Sequence, residues 1–431
     1  MKSIYAIIAD DLTGAGDTGA QFSKAGLATR VLFGNWGSQD IQGADIVVVN
    51  TDSRFLKSQD AAMKVSHTAD ALKKTGVVPF FKKVDSTLRG QIGAEIDALM
   101  DSLDLKAVLV CPIFPANGRT LVGGYLLVDG QPVSRGAAGK DPVTPVTISH
   151  VPTLLAQQST RPILSCTLDE LSSGSLASIL KKAKADGAIV VCDAVSNADL
   201  ETIAQTAMSD SEGLLLVGAA GLANPVAKIL AGRNNAKAEE IAKRKPVIVA
   251  VGSVNPTSRE QLKYLVSSGD SELIKLEIEP LFGSERDKYL SSAMDLCVKA
   301  SLRGAVPVVA SAGERKDVEE ALNLGEKIGL SPTVVAAKIA ASLAQVVQSF
   351  VETRPDASVV ATGGDVARAV LDRFDCGALD VLDEVSPGIP LCALRGGKRP
   401  GIRIVTKAGG FGKNESLKMA VELLEKVSLH G

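Results

Sequence analysis

Histidine, aromatic residues and an excess of either charge are what this sequence has least of. Three histidines in 431 residues, His67, His150 and His430, make no pair at ligand spacing and offer no histidine metal centre. Aromatic residues make up 3%, too few for a base-stacking platform or a sugar-stacking surface. A formal net charge of -2 gives no basic footprint for nucleic acid or an anionic membrane. Cys111, Cys166, Cys192, Cys297, Cys376 and Cys392 contain no Cys-x-x-Cys pair. Runs such as AVLVC and AIVVC mark them as reduced core thiols rather than disulfide or zinc partners. No stretch reaches the ~18 uninterrupted apolar residues of a membrane helix. The Ala- and Val-rich segment Val334–Val351 carries Lys338, Gln345 and Gln348 and reads as a core helix. The opening MKSIYAIIADD is cut off by two acids and reads as a first strand, not a signal peptide, of a cytoplasmic protein. Also missing are a Walker A loop, a dinucleotide G-x-G-x-x-G after a strand, and a G-x-S-x-G elbow. P-loop, dehydrogenase and serine-hydrolase readings lose their signatures with them.

What is present is a repeated alternation of short β-branched runs and longer helical patterns. IYAIIA, ATRVLF, DIVVVN, PFFKKV, AVLVC and AIVVC lie in the first half; PVIVAVG, LIKLEI, VPVVAS, SVVATGG, IPLCAL and IRIVTKAGG lie in the second. Many are apolar without alternation, as strands covered on both faces are. In QIGAEIDALMDSL, Ile92, Ile96, Leu99 and Leu103 recur at helical spacing. The fold class expected is α/β, with two domains, each a mainly parallel sheet with helices on both faces, and the active site in the cleft between them. The polar segment Ala231–Pro246 divides residues 1–235 from 246–431. A long Gly- and Pro-rich insertion, Pro112–Val146, contains YLLVDGQPV, which reads as a hairpin around Asp129-Gly130.

In parallel α/β domains, ligands bind beyond the carboxyl ends of the strands. Asp10 and Asp11 follow the first run. Thr51, Asp52, Ser53 and Arg54 follow DIVVVN. Lys82, Lys83, Asp85, Ser86, Thr87 and Arg89 follow VVPFF, and Pro115, Asn117, Gly118 and Arg119 follow AVLVC. Each cluster taken alone has a plain explanation: helix capping, a strand emerging into solvent, a loop ion pair. Their recurrence at one end of successive strands points instead to a polar site. Lysine and arginine beside hydroxyl-bearing side chains suit a carboxylate and a polyol. Asp10, Asp11 and Asp85 suit accepting from substrate hydroxyls, with one as general base. In the second half, VGSVNPTSREQL, ATGGDVARAVL and KAGGFGKNESL place glycine turns after strands, where free N–H groups hold phosphate oxygens. A polyhydroxy-acid site in one lobe and a nucleotide-phosphate site in the other suit phosphoryl transfer to a small alcohol.

These motifs resemble the four-carbon acid sugar kinase family, whose members phosphorylate threonate, erythronate or 3-oxo-tetronate. The resemblance runs through IADDLTGAGDTG, TDSR, KKVDSTLRG, PANGRTLVGG, VGSVNPTSREQ, ATGGD and KAGGFG. It implies ATP, Mg2+ and a sugar acid bound by the N-terminal domain. By position it assigns Asp10, Asp11, Arg54, Lys82, Lys83, Asp85, Ser86 and Arg89 to the acid sugar; of these, Asp10, Asp11, Asp85 and Arg89 are expected to form the catalytic group, one aspartate orienting or deprotonating the attacking hydroxyl. Ser253, Gly363, Gly364, Asp365, Gly409 and Gly410 are assigned to the nucleotide. No metal ligand is assigned. Two positions depart from the family: Asp365-Val366 stand where Glu-Thr is frequent, and Gly124 where a histidine is common. The expected activity is phosphorylation of the terminal 4-hydroxyl of D-threonate or D-erythronate. Alternatives are a 3-oxo-tetronate 4-kinase, a kinase of another small hydroxy acid such as 4-hydroxythreonine, and a non-catalytic sugar-acid sensor. The expected partners are these small molecules, with neither nucleic acid nor membrane, and a homodimer is the assembly left open.

Overall fold

The computed structural model describes residues 4–141, 144–232, 245–252, 255–311 and 315–426. Contacts divide the chain into two compact units, residues 1–236 and 237–431. Most of the polar segment at which the sequence suggests a boundary, residues 233–244, lies outside the described residues.

In the first unit the strands are β1 (Tyr5–Ala9), β2 (Thr29–Leu32), β3 (Ile46–Asn50), β4 (Pro79–Lys83), β5 (Ala107–Cys111), β6 (Arg119–Val122), β7 (Tyr125–Val128), β8 (Gln131–Pro132), β9 (Ile163–Cys166), β10 (Ile189–Cys192) and β11 (Leu214–Gly218). The order β2-β3-β1-β4-β11-β5-β10-β9 is parallel throughout. The chain moves from β1 outward to β2 but from β3 across β1 to β4. Right-handed crossovers therefore put the helices Leu12–Lys24 and Ser58–Lys74 on opposite faces. The first packs with Ala220–Ala231 and the second with Ile92–Leu103. The sheet is thus covered on both sides, and β1, β3, β5, β10 and β11 are almost wholly buried. The carboxyl ends of β3, β1 and β4 lie side by side where the chain changes direction, which is where an α/β sheet opens a crevice.

The insertion after β5 forms an antiparallel three-stranded sheet, β6-β7-β8. Its Asp129-Gly130 turn has positive φ at both residues, 50° and 77°, as a tight hairpin requires.

The second unit contains β12 (Val247–Val251), β13 (Ser271–Lys275), β14 (Val306–Ala310), β15 (Ser358–Thr362), β16 (Ala378–Ser386), β17 (Ile389–Arg395) and β18 (Arg403–Lys407). In the order β13-β14-β12-β15-β18 the strands are parallel; β17 and β16 continue the sheet antiparallel. IPLCAL, one of the expected strands, belongs to this antiparallel part. Valines of β12, β14, β15 and β18 pack with Leu417, Ala420 and Leu424 in one core. Among the described residues, one helix is long and apolar enough to cross a membrane, Pro332–Thr353. Its Leu343, Ala344, Val347, Phe350 and Val351 are buried within the unit, as the core-helix reading of this segment expects. The six cysteines are free and buried.

Candidate active site

Three adjacent strand ends build the polar site of the first unit. Ala9 pairs with Asn50 on one side and with Lys83 on the other, so the residues that follow β1, β3 and the last residues of β4 share one rim. Asp11 caps the helix Leu12–Lys24, accepting from Gly14 N at 2.8 Å and from Thr13 Oγ1 at 2.6 Å. Capping does not exhaust it. Arg54 donates through Nη1 and Nη2 to Asp11, both at 2.7 Å, and through Nε and Nη2 to Asp10, both at 2.9 Å. One guanidinium thus binds two carboxylates in forked geometry. Asp10 and Arg54 are buried, whereas the Asp11 side chain retains 19% exposure. Burial alone would raise the Asp10 carboxyl; Arg54, Lys82 and Lys83 outweigh it and hold it below its ordinary value. Burial and the two aspartates act oppositely on Arg54, and the aspartates prevail, so it stays charged.

The two lysines at the end of β4 turn inward, not into solvent. Lys82 has no exposure, and its Nζ lies 2.6 Å from Glu95 Oε2, itself 2% exposed. Glu95 sits on the helix Ile92–Leu103, between the apolar positions that reveal that helix. An acid on an apolar stripe is the signal that the sequence carries for it. Lys83 is also buried; its Nζ donates to Val84 O at 2.8 Å. A Cβ on Gly14 would stand 2.9 Å from that ammonium and 2.5 Å from Asp11 Oδ1. Glycine here leaves room for Lys83 beside the aspartates.

Beyond β4, Asp85 accepts from Thr87 Oγ1 at 2.5 Å, Arg89 Nε at 2.7 Å and Arg89 N at 3.2 Å. Burial would raise its carboxyl, but Arg89 and Arg54 hold it well below the ordinary value. The loop turns through Leu88 at φ 68°, a left-handed conformation that a branched residue adopts only when its surroundings fix it. Ser86 is buried, and its Oγ has no hydrogen-bond partner among the described residues. Arg119, from the fourth cluster, lies near enough for its charge to act with that of Asp85.

The β6-β7-β8 sheet is fastened by Asp193, just after β10, which accepts from Gly123 N at 2.6 Å and Gly124 N at 2.9 Å. Sequence reading did not single out Asp193. At Gly124 a Cβ would stand 2.8 Å from His150 Nε2, so an imidazole covers this position from elsewhere in the chain.

In the second unit Gly363 precedes the helix Gly364–Arg373, with φ 101°. Its N–H donates to Lys407 O at 2.9 Å. Asp365 lies in the first turn of that helix, and Val366, the departure from the family pattern, packs where a Cβ on Gly252 would touch it at 2.4 Å. Gly409 and Gly410 follow β18 in a loop fastened from the helix Pro256–Ser267. Ser258 Oγ donates to Gly409 O at 2.7 Å, and Gln261 Nε2 donates to Phe411 O and Lys413 O, both at 2.9 Å. Ser253 lies outside the described residues. A cavity of about 110 Å³ is lined by Gly252, Val318, Val335, Ile339, Asp365 and Val366, among others. Among the described residues no group of three or more His, Cys, Asp or Glu could hold a metal ion.

The chain matches the family described as the sugar-binding N-terminal domain over residues 5–226 and that described as the nucleotide-binding C-terminal domain over residues 248–417. It is 35% identical to a D-threonate kinase of Bordetella bronchiseptica, over 97% of both chains. It is 30% identical to a D-erythronate kinase of Heliobacterium modesticaldum, over 98% of this chain and 97% of the other. A 3-oxo-tetronate kinase of Pseudomonas savastanoi pv. phaseolicola is 26% identical, over 98% of both. Two solved structures share the fold. One, described as a putative tRNA synthase from Salmonella typhimurium, aligns at TM-score 0.80 and 21% identity over 96% of this chain and 98% of its own. The other, a Haemophilus influenzae protein, aligns at TM-score 0.72 and 22% identity over 97% and 100%.

Proposed function

The chain belongs to the four-carbon acid sugar kinase family, and we propose that it uses ATP to phosphorylate the terminal 4-hydroxyl of a four-carbon sugar acid, D-threonate first and D-erythronate next. The observation that carries this reading is the array of Asp10, Asp11, Arg54, Lys83, Asp85 and Arg89 on adjacent strand ends. Four of the five N–H groups of Arg54 are taken by aspartates, so it holds Asp10 and Asp11 in place. Lys83 and Arg89 have donors left for the substrate carboxylate, and the orphaned Ser86 Oγ for a substrate hydroxyl.

In the transfer, the 4-hydroxyl oxygen forms a bond to the γ-phosphorus, the bond from that phosphorus to the β-bridging oxygen breaks, and ADP leaves. The hydroxyl proton passes to a carboxylate: Asp11, the more exposed of the pair, or Asp85. Both Asp10 and Asp85 are held in the anionic form, and a loose phosphoryl-transfer transition state needs an oriented acceptor more than a strong base. Among the described residues no carboxylate cluster would hold Mg2+, so the ion would be held chiefly by the nucleotide's own phosphates and by water, and would supply neutralisation of the diphosphate charge. The glycine turns at Gly363-Gly364 and Gly409-Gly410, together with the Ser253 hydroxyl and the backbone N–H of Asp365, take the nucleotide phosphates. The apolar cavity beside Val335 and Ile339 takes the base. The enzyme acts in the cytoplasm.

The test is ADP release with Mg-ATP against D- and L-threonate, D- and L-erythronate and the 3-oxo-tetronates. Turnover of D-threonate or D-erythronate at least tenfold above the rest is expected. Preference for a 3-oxo-tetronate moves the substrate to that alternative. Silence across the panel with Mg-ADP still bound overturns the kinase reading in favour of a sugar-acid sensor.

A further inference from the structure

We propose that Lys407 shapes and charges the nucleotide-phosphate seat: its ammonium draws the carbonyl groups of Ala408, Gly409 and Phe411 to one side of their loop, and so turns the N–H groups of Gly409, Gly410 and Gly412 to the other, where a phosphate binds. This rests on the kinase reading and adds a positioning residue to it.

The first ground is peptide geometry. Lys407 Nζ donates to Ala408 O at 2.9 Å, to Gly409 O and Phe411 O at 3.2 Å, and lies 3.3 Å from Ser258 Oγ. In a planar trans peptide, the C=O of one residue and the N–H of the next point in opposite directions. Carbonyls of residues 408, 409 and 411 gathered around one ammonium therefore send the N–H groups of 409, 410 and 412 away from it. Those N–H groups make no hydrogen bond among the described residues, whereas Phe411 N donates to Ala408 O and Lys413 N to Ser416 Oγ. A run of outward N–H groups on a glycine loop is an anion nest.

The second ground is charge. Lys407 has no exposure and, among the described residues, no carboxylate against it; its acceptors are neutral oxygens. Lys82, equally buried, has Glu95 against it. Charged groups stand on the elements around Lys407: Arg259, Glu260 and Lys263; Asp365, Arg368, Asp372 and Arg373; Arg395 and Arg403; Lys413, Glu415, Lys418, Glu422 and Glu425. Among the described residues none pairs with it, and burial alone pushes its ammonium down to about 7. An uncompensated buried ammonium is costly, and an anion seated on the loop supplies the missing opposite charge.

The third ground is placement. Lys407 pairs in register with Thr362, whose buried Oγ1 has no partner among the described residues, and its carbonyl receives the Gly363 N–H. One residue joins the starts of both glycine turns.

The test is Mg-ADP binding to the whole chain by titration calorimetry, near pH 8 and in buffers of different ionisation heat. A phosphate beside Lys407 raises its proton affinity, so wild-type protein takes up a fraction of a proton as Mg-ADP binds. Lys407→Met should bind Mg-ADP at least about tenfold more weakly, with no proton uptake and unchanged D-threonate affinity. Lys407→Arg should keep most of the affinity but show no uptake, because a guanidinium does not titrate. Absence of uptake by the wild type overturns the proposal even if Lys407→Met fails to fold, and so does Mg-ADP affinity of Lys407→Met within about twofold of wild type. If the Lys407 signature holds while no sugar acid is phosphorylated, the seat stands and the kinase reading falls.

Discussion

The polar region of the first unit is built from side chains, and that of the second from backbone. At the ends of β1, β3 and β4, charges come in opposed groups: Arg54 with Asp10 and Asp11, Lys82 with Glu95, Arg89 with Asp85. After β18 the polar groups are chiefly peptide N–H and C=O, arranged around one lysine that has no acidic partner among the described residues. The difference follows the ligands proposed for each. A small chiral acid offers hydroxyls in a specific pattern, and directional side chains can read that pattern. A polyphosphate is the same in every nucleotide, and repeated N–H groups suffice for it. Specificity for the acceptor should therefore reside in residues that mutation can exchange, and affinity for the donor in a loop shape that it can only spoil.

Arg54→Met should sharpen this contrast most. It removes the guanidinium that binds two carboxylates, at a cost of about 3–5 kcal/mol to the first unit. Transfer should fall at least a thousandfold while Mg-ADP binding survives, as urea unfolding followed by calorimetry would reveal. Asp85→Asn comes next: kcat should drop about 10²–10⁴-fold with Mg-ADP affinity unchanged. Full kcat at saturating acceptor would remove Asp85 from the chemistry. Gly14→Ala brings a methyl against Lys83 and Asp11 and should cost about 1–3 kcal/mol, seen chiefly as a higher KM for the acid. The smallest effect is on pH dependence. Asp10 and Asp85 are held below their ordinary 3.8, so the unfolded chain binds more protons in acid. Their contribution is complete above that value and is lost as pH falls through the folded values. Lys407 is held near 7 against an ordinary 10.5, so the unfolded chain again binds more protons, and stability rises with pH across that interval. Calorimetry from acid to alkaline pH should show the first unit weakening at the acid end and the second gaining above neutrality. Lys407→Met should abolish only the second slope.

The sequence disclosed the parallel α/β class through unbroken apolar runs, and most strands through β-branched content. It disclosed less where context decides. Leu214–Gly218, inserted between β4 and β5, went unnoticed because a leucine-rich run reads equally as helix. Ala378–Ser386 was missed because Asp380, Asp383 and Glu384 break up its apolar residues and resemble a loop. In the candidate site, strand-end position singled out Asp10, Asp11, Arg54 and Asp85, since the carboxyl end of a parallel strand is a local property. Glu95, Asp193 and Lys407 were hidden for one shared reason. Each matters through a partner remote in sequence or through burial that a neighbouring strand provides, and no local pattern carries either. A lysine ending a strand ordinarily meets water; only the β15 register and the returning loop enclose Lys407.

The Lys82–Glu95 pair has a further consequence. Neither side chain has appreciable exposure, so Lys82 influences Asp10 only through its field, across protein that counter-ions do not enter. Mobile ions screen charges in water over about 10 Å at 0.1 M, but they have no path to this one. Raising the ionic strength should therefore weaken what the partly exposed Arg89 does for an incoming acid and leave the contribution of Lys82 intact.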